Sequence, residues 1–149
     1  MNTPYPNVRV LDLELEETGT GDLVSVMDSY LAGFSWARRT KNVWVGISIP
    51  EALGLFLVEL DPLSEDIDKY IWVVVGDLPP AYISTVYAVS PKEALEGYIA
   101  EMDAWVRAVK NGESVEELIP VNGAPTIANA EALESRLSFI TTKILPDLC

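Results

Sequence analysis

Apolar positions along the chain change period several times, and each change marks an element. In residues 8–17 (VRVLDLELEE), Leu11, Leu13 and Leu15 alternate with Asp12, Glu14 and Glu16. Period two predicts a half-buried strand with an acidic outer face. Residues 18–21 (TGTG) follow as a turn. From Asp22 to about Arg39, apolar residues at Leu23, Val26, Met27, Tyr30, Leu31 and Phe34 step by three and four, tracing one face of a helix. Asp22 is its expected N-cap. The basic residues Arg38, Arg39 and Lys41 are expected at its C-terminal end, where cations complement the helix dipole.

A strand-rich block comes next. Val43, Val45, Ile47 and Ile49 alternate with Trp44, Gly46 and Ser48. That places Trp44 opposite four β-branched residues, exposed or covering a second surface. Leu55–Leu60, Tyr70–Gly76 and Tyr82–Val89 are further short runs of strand-forming residues. Ile71 to Val75 (IWVVV) does not alternate at all, so this strand should lie centrally and be covered on both faces. Residues 77–80 (DLPP) form a loop, because proline cannot donate to a ladder and bars Leu78 from helical geometry.

Two helices close the sequence. Ser90-Pro91-Lys92-Glu93 is a capping box with proline in the first helical position. Behind it Leu95, Tyr98, Ile99, Met102, Trp105, Val106 and Val109 form an apolar stripe that stops at Asn111-Gly112. Gly97 interrupts this helix at about 1 kcal/mol relative to alanine, which implies close packing there. Thr126 caps a last helix carrying Ile127, Ala130, Leu133, Leu137, Ile140 and Ile144, ended by Pro146. The expected architecture is one α+β domain over residues 1–149: an antiparallel β-meander of about four strands packed against three helices. Residues 1–7 are expected to fray.

Charge narrows the function more than it defines it. Ten Lys and Arg stand against 23 Asp and Glu, a net charge of −13, with no histidine and one cysteine. Direct contact with nucleic acid or anionic lipid is disfavoured, since both need a basic footprint. Histidine-based acid–base catalysis is excluded, and Cys149 has no partner for an intramolecular disulfide or a thiolate zinc site. No apolar run approaches the roughly 18 residues of a membrane span, and the start carries no targeting pattern, so the cytoplasm is the expected compartment.

Motifs for chemistry are weak. Gly19-Thr20-Gly21 begins like a dinucleotide loop, but Val24 stands where the third glycine belongs. Gly33–Ala37 faintly resembles a nucleophile elbow, yet it lies in a helical pattern and Ser35 has no histidine to activate it. No catalytic residue, cofactor or metal ligand is assigned. Glu59, Asp61, Glu65, Asp66 and Asp68 crowd one loop without calcium-loop spacing, and read as a contact surface for a cationic protein. Trp44 is the candidate aromatic anchor beside them. The alternative is a small-molecule or regulatory pocket between sheet and helices near Trp72, Asp77 and Tyr82. A second copy of the chain is a further candidate partner, if helices leave one face of residues 70–76 open.

The succession WVVVGDLPPAYI (72–83), then Ser90-Pro-Lys-Glu-Ala-Leu95, then a helix with Trp105-Val106 resembles small bacterial proteins of uncharacterised function. The resemblance covers about a quarter of the chain; it implies an α+β domain and carries no activity. In size, acidity and lack of catalytic residues the chain also looks like toxin-immunity proteins. The expected function is therefore a non-catalytic acidic protein that engages a basic protein partner.

Overall fold

Five consecutive apolar residues, Ile71 to Val75, cannot be satisfied by a sheet with one wet face. The computed structural model describes residues 4–14, 16, 18–37, 39–61, 69–121 and 123–148, with backbone alone for residues 18 and 39–41. In it, the strand Tyr70–Gly76 (β4) is buried on both sides. It lies in a five-stranded antiparallel sheet whose spatial order follows the chain: β1 (Arg9–Val10), β2 (Arg39–Ile49), β3 (Leu53–Leu60), β4, β5 (Ala81–Ser84). Helix α1 (Thr18–Leu31) covers one face, α2 (Pro91–Lys110) and α3 (Ile127–Phe139) the other. The fold is α+β; the short β1, from the alternating segment 8–17, joins the expected meander of about four strands as a fifth.

The two faces have separate cores. Val43, Val45, Phe56, Val58, Ile71, Val73 and Val75 meet Leu23, Val24, Met27 and Leu31 of α1. On the other face, Leu55, Leu57, Trp72 and Val74 meet Leu95, Tyr98, Met102 and Trp105 of α2, with α3 packed behind through Ala130, Leu133 and Leu137. The Trp72 indole N–H donates to the Ala88 carbonyl (2.8 Å), which fixes the segment entering α2. That helix starts as its sequence dictates: Ser90 Oγ accepts from the Glu93 N–H (3.2 Å), and the Glu93 carboxylate accepts from the Val89 N–H (2.9 Å). It ends in a Schellman motif, with Gly112 left-handed (φ 72°) and the Glu113 N–H bonded to the Ala108 carbonyl (2.8 Å). Thr126 caps α3 through the Asn129 N–H (3.2 Å), and one π-helical turn, Ile140–Ile144, extends it.

Several elements depart from the sequence pattern for identifiable reasons. The alternation over 8–17 yields only two strand residues, because Asp12 makes a turn: its carboxylate accepts from the Glu14 N–H and its carbonyl from the Glu16 N–H. Residues 18–21 are the first turn of α1, not a loop; an added Cβ on Gly19 would stand 2.3 Å from Pro50 Cβ, so glycine admits this close approach. At its far end α1 stops at Leu31, where N–H bonds from Gly33 and Phe34 tighten to i−3 carbonyls. The basic cluster therefore does not cap α1: Arg39 and Lys41 open β2, and Arg38 lies outside the described residues. Of the start expected to fray, residues 4–7 are described, and Tyr5 packs on Tyr70 and Trp72 with ring centroids 5.8 and 6.0 Å away.

A bulge in β2 changes the facing of Ile47, while Trp44, ahead of it, lies opposite Val43 and Val45 as the alternation implies. Val45 pairs with Phe56 but Ile47 with Leu55, so Gly46 is extra and the phase flips beneath Pro91. Ile47 thereby joins Trp44 on the α2–α3 face, and Trp44 is only 9% exposed, packed on Tyr70 at 6.0 Å. β5 is also shorter than expected. The Ser84 carbonyl accepts from the N–H groups of Tyr87 and Ala88, turning the chain away and leaving Val86 and Tyr87 72% and 85% exposed.

Two backbone positions make opposite predictions. Gly76 has φ 137° and an added Cβ would lie 2.3 Å from the Ala52 carbonyl oxygen, so Gly76→Ala is expected to destabilise by about 2–4 kcal/mol. Glu51 follows Pro50 in the β2–β3 turn with φ 68°, so Glu51→Gly is expected to stabilise by up to about 1 kcal/mol. Urea midpoints of the two variants against the wild type check both; the reverse order would contradict the turn geometry.

Candidate functional site

A sheet sandwiched between helix layers still has two lateral edges, and β5 is one of them. α1 lies across the inner strands, so the chain after it swings over β5. Phe34 and Trp36 close edge-on on Tyr82 with ring centroids 5.7 and 4.9 Å away and interplanar angles of 83° and 68°, and Tyr30 meets Phe34 at 5.1 Å. Beyond this aromatic cluster a half-open groove of about 830 Å³ runs along the β5 edge. Its α1 side is formed by Tyr30, Phe34 and Tyr82, its α2 side by Ile83, Gly97 and Glu101, and its rim by Tyr87 and the segment Glu117–Val121.

The lining is mostly apolar. Two exposed carboxylates, Glu101 and Glu117, enter it, and no lysine or arginine does. Residues 93–117, which form most of α2 and the start of the rim, carry seven carboxylates against two cations. Both cations are engaged, Arg107 with Asp103 (2.8 Å) and Lys110 with Glu134 (2.7 Å). Lys92, in the first turn of α2, is a third cation of the helix, but none of the three lines the groove, so its two carboxylates have no countercharge in the lining.

Gly97 does not have the role its position in the sequence implies. An added Cβ would stand 3.7 Å from Ile83 Cγ2, an ordinary contact, so packing does not demand glycine there. What Gly97 does is keep the groove clear, at about 1 kcal/mol of helix propensity relative to alanine. Tyr98, one position on, is fully buried and donates to the Pro79 carbonyl (2.6 Å), which anchors the loop entering β5. Burial, reinforced by Tyr30, pushes its hydroxyl well above the ordinary tyrosine range. Burial, with a smaller contribution from Tyr82, pushes Tyr30 up to about 12.

The residues singled out in the sequence do not converge on this groove. Trp72 is wholly buried in the core, Asp77 is exposed at the end of β4 and pairs with Arg136 of α3 (3.4 Å), and only Tyr82 lines the groove. Asp77 instead borders a smaller cleft of about 350 Å³ with Pro79, Trp105, Asn129 and Arg136. Trp44 is core and offers no accessible anchor. Glu65, Asp66 and Asp68 lie outside the described residues. Glu59 is bonded to Asn42 (2.8 Å) and lies 3.7 Å from the Lys69 ammonium, while Asp61 is exposed. Both stand at the end of β3, two strands or roughly 10 Å from the end of β5. Tyr30, Phe34, Glu101 and Glu117 carry no motif; the one local signal near the groove was a glycine inside an otherwise strong helix.

Among the described residues no group of three or more acidic or thiol side chains is placed to hold a metal, and no helix is long and apolar enough to cross a membrane. Compared with protein-family models, with curated proteins and with solved structures, the chain finds no match.

The raised Tyr30 hydroxyl gives a signed pH dependence. Its folded value of about 12 exceeds the ordinary 10.0, so the fold favours the neutral form. The associated stability is intact below pH 10 and drains as pH rises from 10 through 12. Urea titrations across that window are expected to show a steeper loss for the wild type than for Tyr30→Phe. Parallel losses would contradict the burial of the hydroxyl.

Proposed function

We propose that this chain is a non-catalytic binding protein that engages a basic protein partner through the β5 groove, an inhibitor or immunity protein being the concrete form. One observation carries the reading: an aromatic, apolar groove with two carboxylates and no cation in its lining. Such a surface suits a ligand with an apolar body and positive charge. The exposed residues Val86, Tyr87 and Val89 extend the apolar patch beside it. The field of a molecule with net charge −13 steers a cationic partner, and the tyrosines then anchor it. Glu59 and Asp61 contribute to the steering field from the same end of the sheet; in this reading Trp44 has no part.

The volume also favours a second reading. About 830 Å³ falls within the roughly 300–1,000 Å³ typical of small-molecule sites. A small-molecule or regulatory function would then use the groove beside Tyr82, without Trp72 and Asp77. An apolar amine would raise the melting temperature of the wild type and not of Gly97→Leu.

The test of the leading reading compares two baits, wild type and the double variant Glu101→Lys/Glu117→Lys, in an extract of the cells that make the protein. A basic protein is expected to be retained by the wild type, released at about 0.5 M salt and lost with the double variant. Equal retention by both baits, retention indifferent to salt, or no retained protein contradicts it.

A further inference from the structure

The backbone on the outer side of β5 is directed into the groove. The Leu60 N–H bonds to the Lys69 carbonyl (2.6 Å), so residues 60 and 69 form a hydrogen-bonded pair of the β3–β4 ladder. Alternation along the unshifted register then turns Ile71, Val73 and Val75 toward β3, and Tyr70, Trp72 and Val74 toward β5. The Tyr70 carbonyl accordingly accepts from the Thr85 hydroxyl (2.9 Å). On β5, Ile83 and Ala81 face Trp72 and Val74 and bond to β4, whereas Tyr82, opposite Val73, directs its N–H and C=O outward. No hydrogen bond among the described residues engages the Tyr82 backbone from that side.

The groove has the shape of a missing strand. It is lined from both faces of β5, with Tyr82, Tyr30 and Phe34 on the α1 side and Ile83, Gly97 and Glu101 on the α2 side. Its space therefore lies in the plane of the sheet, between the two helix layers.

Resting on the reading of the groove as a partner site, we propose that it takes an extended, cationic segment of the partner protein as a sixth strand, hydrogen-bonded to the outer edge of β5. Side chains of such a segment alternate between the layers. Those on the α1 side meet the rings of Tyr30, Phe34 and Tyr82 and are apolar; those on the α2 side meet Glu101 above the clear floor at Gly97 and are lysine or arginine. The groove lining holds Glu101 and Glu117 and no competing cation, so the charge complementarity selects a basic segment over an acidic or neutral one. β5 is four residues long, so the added strand is short, about 13 Å, and specificity rests on the flanking layers.

The experiment is a display selection of random heptapeptides on the wild-type protein, with affinities then measured on Gly97→Leu, which fills the groove, and on Glu101→Lys, an exposed position that leaves the fold intact. Selected peptides are expected to alternate apolar with Lys or Arg and to lose about tenfold on either variant. Within β5 the Ser84 carbonyl is already held by Tyr87 and Ala88, so scanning the peptide backbone with N-methyl groups should weaken binding about tenfold at the residue that pairs with Tyr82 and leave its immediate neighbours unaffected. Binding that both variants weaken but that no single N-methyl group weakens overturns the sixth strand and leaves the groove reading standing. Peptides indifferent to both variants, or no peptides at all, overturn both.

Discussion

A strand that is apolar on both sides is the constraint from which this molecule follows. Ile71, Val73 and Val75 point to one face of β4 while Trp72 and Val74 point to the other, and all five are buried. Each face then needs a layer of its own, so α1 must pack opposite α2 and α3. The chain supplies α1 before the main strands and the other two helices after them. The antiparallel meander between is built from short connections, which fixes β5 at one lateral edge. Helix layers cover faces but not edges, and an edge strand keeps one row of backbone groups directed outward. The groove beside β5 is a consequence of two-sided burial combined with a short last strand.

Signals carried by neighbouring residues were legible in the sequence. The capping box at Ser90, the threonine cap at Thr126, the stop at Asn111-Gly112 and the central burial of β4 all rest on interactions within a few positions, or on a run with only one interpretation. What was not legible depends on residues far apart. Gly19 in the first turn of α1 admits the close approach of Pro50, Gly46 shifts the phase of β2 where Pro91 packs, and Asp12 diverts an alternating segment through its own side chain. Ile47 was misplaced for the second of these reasons, since one bulged residue moves every later side chain to the other face; Trp44, which precedes the bulge, does lie opposite Val43 and Val45, and it is buried because α2 and α3 cover that surface. The groove was invisible for a related reason: Tyr30, Phe34, Tyr82, Gly97 and Glu101 come from three elements that meet only at the sheet edge.

Net negative charge alone distinguishes little, because it also keeps a small domain soluble. Its distribution is more informative. Of the three cations of α2, Arg107 and Lys110 are held by Asp103 and Glu134, and neither they nor Lys92 lines the groove, which Glu101 and Glu117 share with aromatic rings. A basic segment would find there both the countercharge and the apolar surface that its alternating side chains require, and the field would raise the rate of encounter before any contact formed. Phe34 and Trp36 pack on Tyr82 from the α1 side, so part of the ring surface in the groove is positioned before any partner docks.

Everything functional in this account depends on the outer backbone of β5 being open. Amide hydrogen exchange read residue by residue in the free protein addresses that most directly. The Ile83 amide, bonded to β4, should exchange slowly, and its neighbour Tyr82 should exchange far faster despite belonging to the same strand. Equal, strong protection of both amides in the unbound protein would mean that the edge is already closed, and the groove could not receive a strand.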